Sequence, residues 1–543
     1  MELRRDQHFY LGEARAALAP AIRWFSRPAS PTSAFLVGVV IAGAYVLALC
    51  ACGALMFQDY PNHLARAVIL ADLWFHHGEH FGSQFQFQSM LYPYIAADWL
   101  LTPLVELLGQ QGATFVWTAL ALLSLPLAML HYLHATRVRV EARPFVFLVS
   151  LYLSTNTFFF LGFVNFSFAL ALTILVTGLA QQLREHRSPT RYALYTVMIA
   201  LGFLMHLAFV VFAAVVVGTT GLVRLYRRQS TLIREIWLLL PIVVTLAWYV
   251  LSVQIYPATH DTVSARFIWP GIFGKIRQLD WPFQRFDAAI DLGFAVAFAV
   301  LCAAITLRRV DRRKLSRRAS IEALALIAGC GLLYVLLPSS YGDPTYIDMR
   351  ALPLVALAGL LWCVYLSLGA PGVSPLTSRA VLTGAGLLLA ANLYYLGAEL
   401  APQAAWLRQY RSLLTSVPQG SKVLPIYTGT HQLTRWQYLH VASYVVTDRK
   451  GIEPYLFSGD QGQPMKYFRY RNHPYAPHNT WYSYTPQSGV PAVVDWPRIA
   501  CSYDYLLVMK PFNLARIELS NTTIAENSSA ALLTADTRGC PTR

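Results

Sequence analysis

Two stretches of the chain, residues 144–183 and 190–225, remain apolar for nearly 40 residues apiece. A single helix of that length would rise about 55–60 Å, roughly twice the hydrocarbon core of a bilayer. Each stretch must therefore turn back on itself. The polar residues put the turns near Asn156–Asn165 in the first stretch and near His206 in the second. Further apolar runs at 34–56, 113–134, 234–254, 288–307, 321–338, 351–369 and 379–397 each suit one crossing. The pattern predicts a polytopic α-helical membrane protein of about eleven spans. Trp99–Leu108, apolar over only about ten residues, suits a helix lying along the interface instead.

Charged residues make up 13% of the chain, about half the share of an ordinary soluble protein, so a soluble enzyme is excluded. The formal net charge of +15 would point a soluble chain toward nucleic acid. Here its placement argues otherwise. Basic residues gather in His134–Arg139, in Arg184/Arg187/Arg191, in Arg224/Arg227/Arg228/Arg234 and in Arg308/Arg309/Arg312/Arg313/Lys314/Arg317/Arg318. With Trp99–Leu108 kept out of the bilayer, all of these share the side of the N-terminus, and the positive-inside rule makes that side the cytoplasm. No nucleic-acid partner is expected; the surrounding lipids are the first partner.

The expected layout is a cytoplasmic, partly amphipathic segment over 1–33, a transmembrane module over 34–398 with a first outer loop at 57–112, and an outer soluble domain over 399–543. The first apolar run reads as a retained anchor. The outer domain reads as mixed α and β, with a helix over Pro402–Leu414 and strands over Lys422–Tyr427, Ala442–Thr447 and Tyr505–Met509. Five of the seven cysteines lie in apolar runs, where cysteine behaves as a small hydrophobe. Cys501 and Cys540 lie in the polar outer region, where an oxidising compartment lets them pair.

Polar chemistry gathers on the outer face. The first outer loop opens with Phe57-Gln-Asp59-Tyr-Pro-Asn-His63-Leu-Ala-Arg66. Helix capping explains an Asp before a Pro-led helix, but not His63 and Arg66. The same loop later reads Leu91-Tyr92-Pro93-Tyr-Ile-Ala-Ala-Asp98-Trp99. His76-His-Gly-Glu79-His80 matches the spacing of some zinc peptidases, which needs both histidines on one helix face; Gly78 works against that helix. Among apolar flanks, His206 is a site candidate by default, or a hydrogen-bonded core residue, and Asn165 has the same standing. The loop Tyr256–Asp287, with His260, Asp261, Trp269 and Trp281, either lines an acceptor path or covers the cavity.

At Asp59 and the Tyr92–Asp98 segment the chain resembles the GT-C superfamily of integral-membrane glycosyltransferases, which includes protein O-mannosyltransferases and the aminoarabinose transferase of lipid A. Members carry a catalytic Asp in the first outer loop, then juxtamembrane helices, an aromatic Pro-containing segment, many spans and often an outer domain. The resemblance implies transfer of a sugar from a polyprenyl-phosphate donor to a hydroxyl of a cell-envelope acceptor, with inversion, at the periplasmic face of a bacterial inner membrane. Asp59 matches the family's loop Asp and would take the proton from the attacking hydroxyl. The phosphate leaving group needs positive charge, best supplied by arginine.

Arg350 is the first candidate for that task, ending Ser339-Ser-Tyr-Gly-Asp343-Pro-Thr-Tyr-Ile-Asp348-Met-Arg350 just before a span; Arg66 is the second. Asp348 either pairs with Arg350 or contacts sugar hydroxyls. Many relatives place a second acidic residue between the third and fourth spans, where it helps hold a divalent metal (Mg or Mn) or the acceptor. Here that turn reads Phe158-Phe-Phe-Leu-Gly-Phe-Val-Asn165, without Asp or Glu, leaving Asp98, Glu79 or Asp348 as substitutes. The aromatic runs of the outer domain, such as Trp481-Tyr482-Ser-Tyr484, suit either an acceptor glycan or a core. Two rival classes are a lipid or sugar transporter, which would place charges near the bilayer midplane, and an O-antigen polymerase or ligase, which would place its key loop late.

Overall fold

The computed structural model describes residues 30–51, 58–87, 91–138, 142–255, 267–307, 317–341, 346–368, 379–427, 440–456, 465–467, 495–510, 522–535 and 540. Most of residues 1–33, His260, Asp261 and the Trp481–Tyr484 run lie outside these. Each expected span falls on a helix. Seven are long and apolar enough to cross a bilayer, and an eighth arises if Gly271–Phe283 and Ala288–Ala304, bent by 83°, form one broken span. Arg143–Ser154 and Ile321–Leu336 are apolar but shorter, and Pro189–Met205 has 17 residues. Length and apolarity thus account for seven or eight of the expected crossings among the described residues.

Both hairpins turn where the polar residues stand. In the first, Asn156 Oδ1 accepts the Phe159 N–H at 3.2 Å and caps a single turn, Thr157–Phe160. The chain then passes through Gly162 at φ +77° and resumes at Val164. Only glycine takes that conformation without strain. In the second, His206 is extended (φ −164°) between Pro189–Met205 and Leu207–Tyr226, and its Nδ1 accepts the Ala208 N–H at 3.0 Å.

Between the first and second spans lies the amphipathic helix Tyr60–Phe75, buried along most of its length. Ile95–Ala135 then runs for 41 residues with a break at Gly109 (φ 67°, ψ 173°). The break separates a piece at 95–108, where Leu100, Leu107 and Leu108 are exposed, from a spanning piece at 110–135.

Two expectations need correction. The helix expected to begin at Pro402 is the end of one rod, Arg379–Leu414, which continues the last span into the C-terminal domain with Pro402 inside it. The strand expected over Ala442–Thr447 is instead a 3-10 turn, Val441–Ser443, followed by the helix Tyr444–Arg449. A short apolar run fits either form, and this one is buried on all sides against Tyr60–Phe75 and Arg379–Leu414, a packing that a sheet edge would not give.

The described strands are β1 (Phe85–Phe87), β2 (Phe267–Ile268), β3 (Ser340–Tyr341), β4 (Val423–Tyr427), β5 (Met465–Tyr467), β6 (Tyr505–Met509), β7 (Thr523–Glu526) and β8 (Ala530–Thr534). The C-terminal sheet has the order β4-β6-β8-β7, with β4 and β6 parallel and the rest antiparallel. One face packs a core of Leu424, Ile426, Ile499, Tyr503 and Val508, and Cys501 and Cys540 are joined by a disulfide. The segment between the first two spans is tied to this domain. β1 pairs antiparallel with β5, and Gln110 Nε2 donates to the Thr447 carbonyl at 2.7 Å.

Candidate functional site

Asp59 sits at the start of Tyr60–Phe75, its backbone N–H donating to the Leu161 carbonyl in the first hairpin turn at 3.1 Å. With Pro61 in the first turn the helix needs fewer caps, and the Asp59 side chain makes no capping bond. Its carboxylate faces the C-terminal domain instead. Asp59 Oδ1 lies 3.6 Å from His440 Nε2, with the Asp59 side chain 15% exposed. Burial pushes the carboxyl up to about 7, against the pull of the Arg350 charge and of a hydrogen bond from Gln58.

His440 is itself buried, and burial lowers it to about 3, so it is neutral at physiological pH. Its Nδ1 lies 3.2 Å from Asn62 Nδ2. Nothing in the sequence singled out His440, which stands 378 residues from Asn62 in a polar region where a histidine is ordinary. His63, on the next turn of helix, is half-buried and held down to about 3 by burial and by its neighbours Arg66 and His440.

Arg350 stands at the foot of Leu352–Leu368. Its guanidinium lies over the rings of Phe163 and Phe166 at 5.1 and 5.9 Å and puts Nη1 3.0 Å from His206 Nε2. The guanidinium can only donate, and this contact is at hydrogen-bond distance. A guanidinium held in so apolar a setting suits an anion. Tyr94 joins Arg350 and His206. At φ +80° it is strained for a non-glycine residue, and that backbone sets its ring edge-on to His206 at 4.9 Å and its hydroxyl in a hydrogen bond with Arg350. Tyr346, also at positive φ, stacks on Trp281 at 4.7 Å.

Of the residues singled out from sequence, Asp59, His63, His206 and Arg350 come together. Arg66 and Asp98 do not join them. They form a buried ion pair, 0% and 1% exposed, so Arg66 is committed to holding Tyr60–Phe75 and Ile95–Ala135 together rather than to a phosphate. Asp348 pairs with neither Arg350 nor an open site. It is buried against Lys275 and Ser339 Oγ, and Lys275 Nζ also donates to the Leu337 carbonyl at 2.7 Å. Tyr92 lies at the rim, its ring 5.8 Å from that of Tyr249. Asn165 is buried in the first turn of Val164–Glu185.

Glu79 lies apart, in a polar cavity of about 610 Å³ with Asp72, Glu106, Arg411 and Lys450. The zinc-peptidase spacing fails because the helix ends at Phe75 and Gly78 takes φ +73°. His76 and His80 thus share no helix face, and His76 Nε2 meets Glu106 at 3.0 Å.

No protein-family model matches the chain, and no curated protein does. Among solved structures the chain is similar to ArnT from Cupriavidus metallidurans bound to undecaprenyl phosphate, at 13% identity and a TM-score of 0.49. It is similar to the apo state of the same protein at 12% identity and a TM-score of 0.49. Each likeness covers 92% of this chain and 97% of the other.

Proposed function

We propose that the chain is a GT-C-type membrane glycosyltransferase that moves a sugar from a polyprenyl-phosphate donor to a hydroxyl of a cell-envelope acceptor, at the periplasmic face of a bacterial inner membrane, with Asp59 as general base. The observation that carries this reading is one part-buried carboxylate, raised to about 7, in electrostatic reach of a half-buried Arg350 whose guanidinium lies over aromatic rings and 3.0 Å from His206 Nε2. A base titrating near the working pH is both available and strong. A guanidinium in an apolar setting suits the charge that develops on a departing phosphate.

In the proposed reaction the acceptor oxygen attacks the anomeric carbon from the face opposite the phosphate. The C–O bond to the carrier breaks, its electron pair leaves on the polyprenyl phosphate, and the acceptor's proton passes to Asp59. Attack from the opposite face inverts the anomeric centre. Arg350 holds the phosphate, with His206 and Tyr94 steadying its guanidinium.

A divalent metal does not suit this donor set. Asp59 has a single imidazole for a neighbour and a guanidinium whose charge repels a cation, and among the described residues no three His, Cys, Asp or Glu side chains are grouped to hold an ion. No step is assigned to one, and turnover is expected to survive EDTA.

The test is an assay of purified protein against a panel of polyprenyl-phosphate sugars, wild type beside Asp59→Asn. Turnover with at least one donor, reduced about 10²–10⁴-fold by the substitution, is expected. Wild-type turnover that Asp59→Asn leaves intact rejects Asp59 as base, and a wild type silent on the whole panel rejects the donor class.

A further inference from the structure

The C-terminal domain supplies a buried side chain to the Asp59 cluster that no part of the proposed reaction yet uses. We infer that His440 is the positioning residue for Asp59, and that the outer domain completes the site by holding the imidazole with its Nε2–H directed at the carboxylate. The inference rests on the reading of Asp59 as base.

The tautomer follows from the hydrogen bonds. Asn62 Nδ2 lies 3.2 Å from His440 Nδ1 and 3.2 Å from the Tyr455 carbonyl. An amide nitrogen has two protons, and these two acceptors use both. Turning the amide over would set its oxygen against the Tyr455 carbonyl, so the nitrogen faces this way. His440 Nδ1 therefore accepts, and the proton of the neutral ring lies on Nε2, the atom 3.6 Å from Asp59 Oδ1. That distance is longer than a formed hydrogen bond, and closes when the carboxylate carries full charge.

The ring is held from the domain side as well. The Ser443 N–H donates to the His440 carbonyl at 3.0 Å, Ser443 Oγ donates to Glu453 Oε1 at 2.9 Å, and the Tyr455 N–H donates to Glu453 Oε2 at 2.7 Å. With Asn62 on the Tyr455 carbonyl the circuit closes: His440, Ser443, Glu453, Tyr455, Asn62 and back to His440. Its members come from the domain except Asn62, which sits three residues after Asp59 on the same helix. Glu453, His440 and Asn62 are 2%, 4% and 0% exposed. A buried circuit with its polar groups satisfied fixes one geometry. A donor fixed on the carboxylate favours its anion and limits its rotation, which is what a base needs.

The test compares His440→Gln, His440→Ala and Asn62→Leu with wild type in the donor assay, across pH. Glutamine can accept from Asn62 through its oxygen and donate to Asp59 through its nitrogen, so it should retain kcat within a few fold. Alanine removes the donor. It should lower kcat about 10–100-fold, the usual range for a hydrogen bond to a charged group, leave the donor KM within about twofold, and move the acid limb of the pH profile upward. Asn62→Leu, which frees the ring to exchange tautomers, should fall between them. Cys501–Cys540 oxidation and thermal melting report folding, and if the alanine variant does not fold, the Gln and Leu variants decide.

Equal kcat and equal acid limbs in wild type and His440→Ala, with Asp59→Asn inactive, would overturn this inference alone. So would a Gln variant as impaired as Ala with the limb unmoved. Full turnover by Asp59→Asn would instead remove the base that the inference serves.

Discussion

The helix Val164–Glu185 carries a guanidinium cluster at each end, about 30 Å apart along its axis, and the two ends are built differently. At its C-terminal end Arg184 is committed to structure. Its Nε donates to both Glu235 oxygens at 3.1 Å, Nη2 reaches Glu235 at 2.7 Å and the Val217 carbonyl at 2.9 Å, and Nη1 reaches Thr220 at 3.0 Å. Arg224 pairs with Glu322 and Arg137 with Glu185 in the same region. At the other end, beside Phe163 and Phe166, Arg350 lies over aromatic rings and against an imidazole, while Asp59 answers to His440. Carboxylate and guanidinium feel one another there yet are held by separate neighbours. The pairing at one end locks helices; the separation at the other leaves both charges to the proposed reaction.

Exchanging the roles should break that contrast most visibly. Asp59→Asn is expected to cost about 10²–10⁴ in transfer without lowering the melting temperature above pH 7. Glu235→Gln strands a buried guanidinium and should destabilise by about 3–5 kcal/mol, while the molecules still folded keep their kcat. Melting and specific activity measured on both variants check this, and a folded Glu235→Gln protein without activity would erase the distinction.

A smaller effect is expected from arginine-to-lysine exchange. Arg350→Lys keeps the charge but loses the planar fork and ring stacking, so kcat/KM for the donor should fall about tenfold, measured by competition with free polyprenyl phosphate. Arg184→Lys should appear only in the melting curve.

The pH dependence of stability sharpens the same point. Asp59 and Glu453 are raised by burial to about 7, from 3.8 and 4.5. A raised carboxyl adds stability that is complete below its unfolded pKa and is lost as pH climbs through its folded one. Melting temperature should therefore decline from about pH 4 to pH 7, and Asp59→Asn should remove part of that decline. The smallest effect belongs to Tyr94→Phe, which deletes one hydrogen bond to Arg350 and should raise the donor KM roughly threefold.

Much of this was legible in the amino-acid order because lipid imposes a length and punishes polar groups. The hairpin turns at Asn156–Asn165 and His206 followed from run length, and Asp59, His206 and Arg350 stood out as ionisable residues beside apolar flanks. What distance in sequence hides is partnership. Arg66 and Asp98 look like site residues until their side chains meet, and Lys275 gives no sign of its tie to Asp348. His440 carries no local signal, since a histidine in a polar tail is unremarkable until the tail folds onto the segment between the first two spans. The Ala442–Thr447 segment was misread for a related reason. Its apolar run is short enough for either strand or helix, and the helices it packs against decide.

The central claim is that Asp59 is the base of this site and titrates near neutrality. The direct measurement is kcat/KM for transfer from pH 4.5 to 9 in wild type and Asp59→Asn. An acid limb centred near pH 7, abolished along with turnover in the variant, is the predicted result. A limb near the ordinary carboxylate range of about 4, or the same limb and rate in Asp59→Asn, would contradict it.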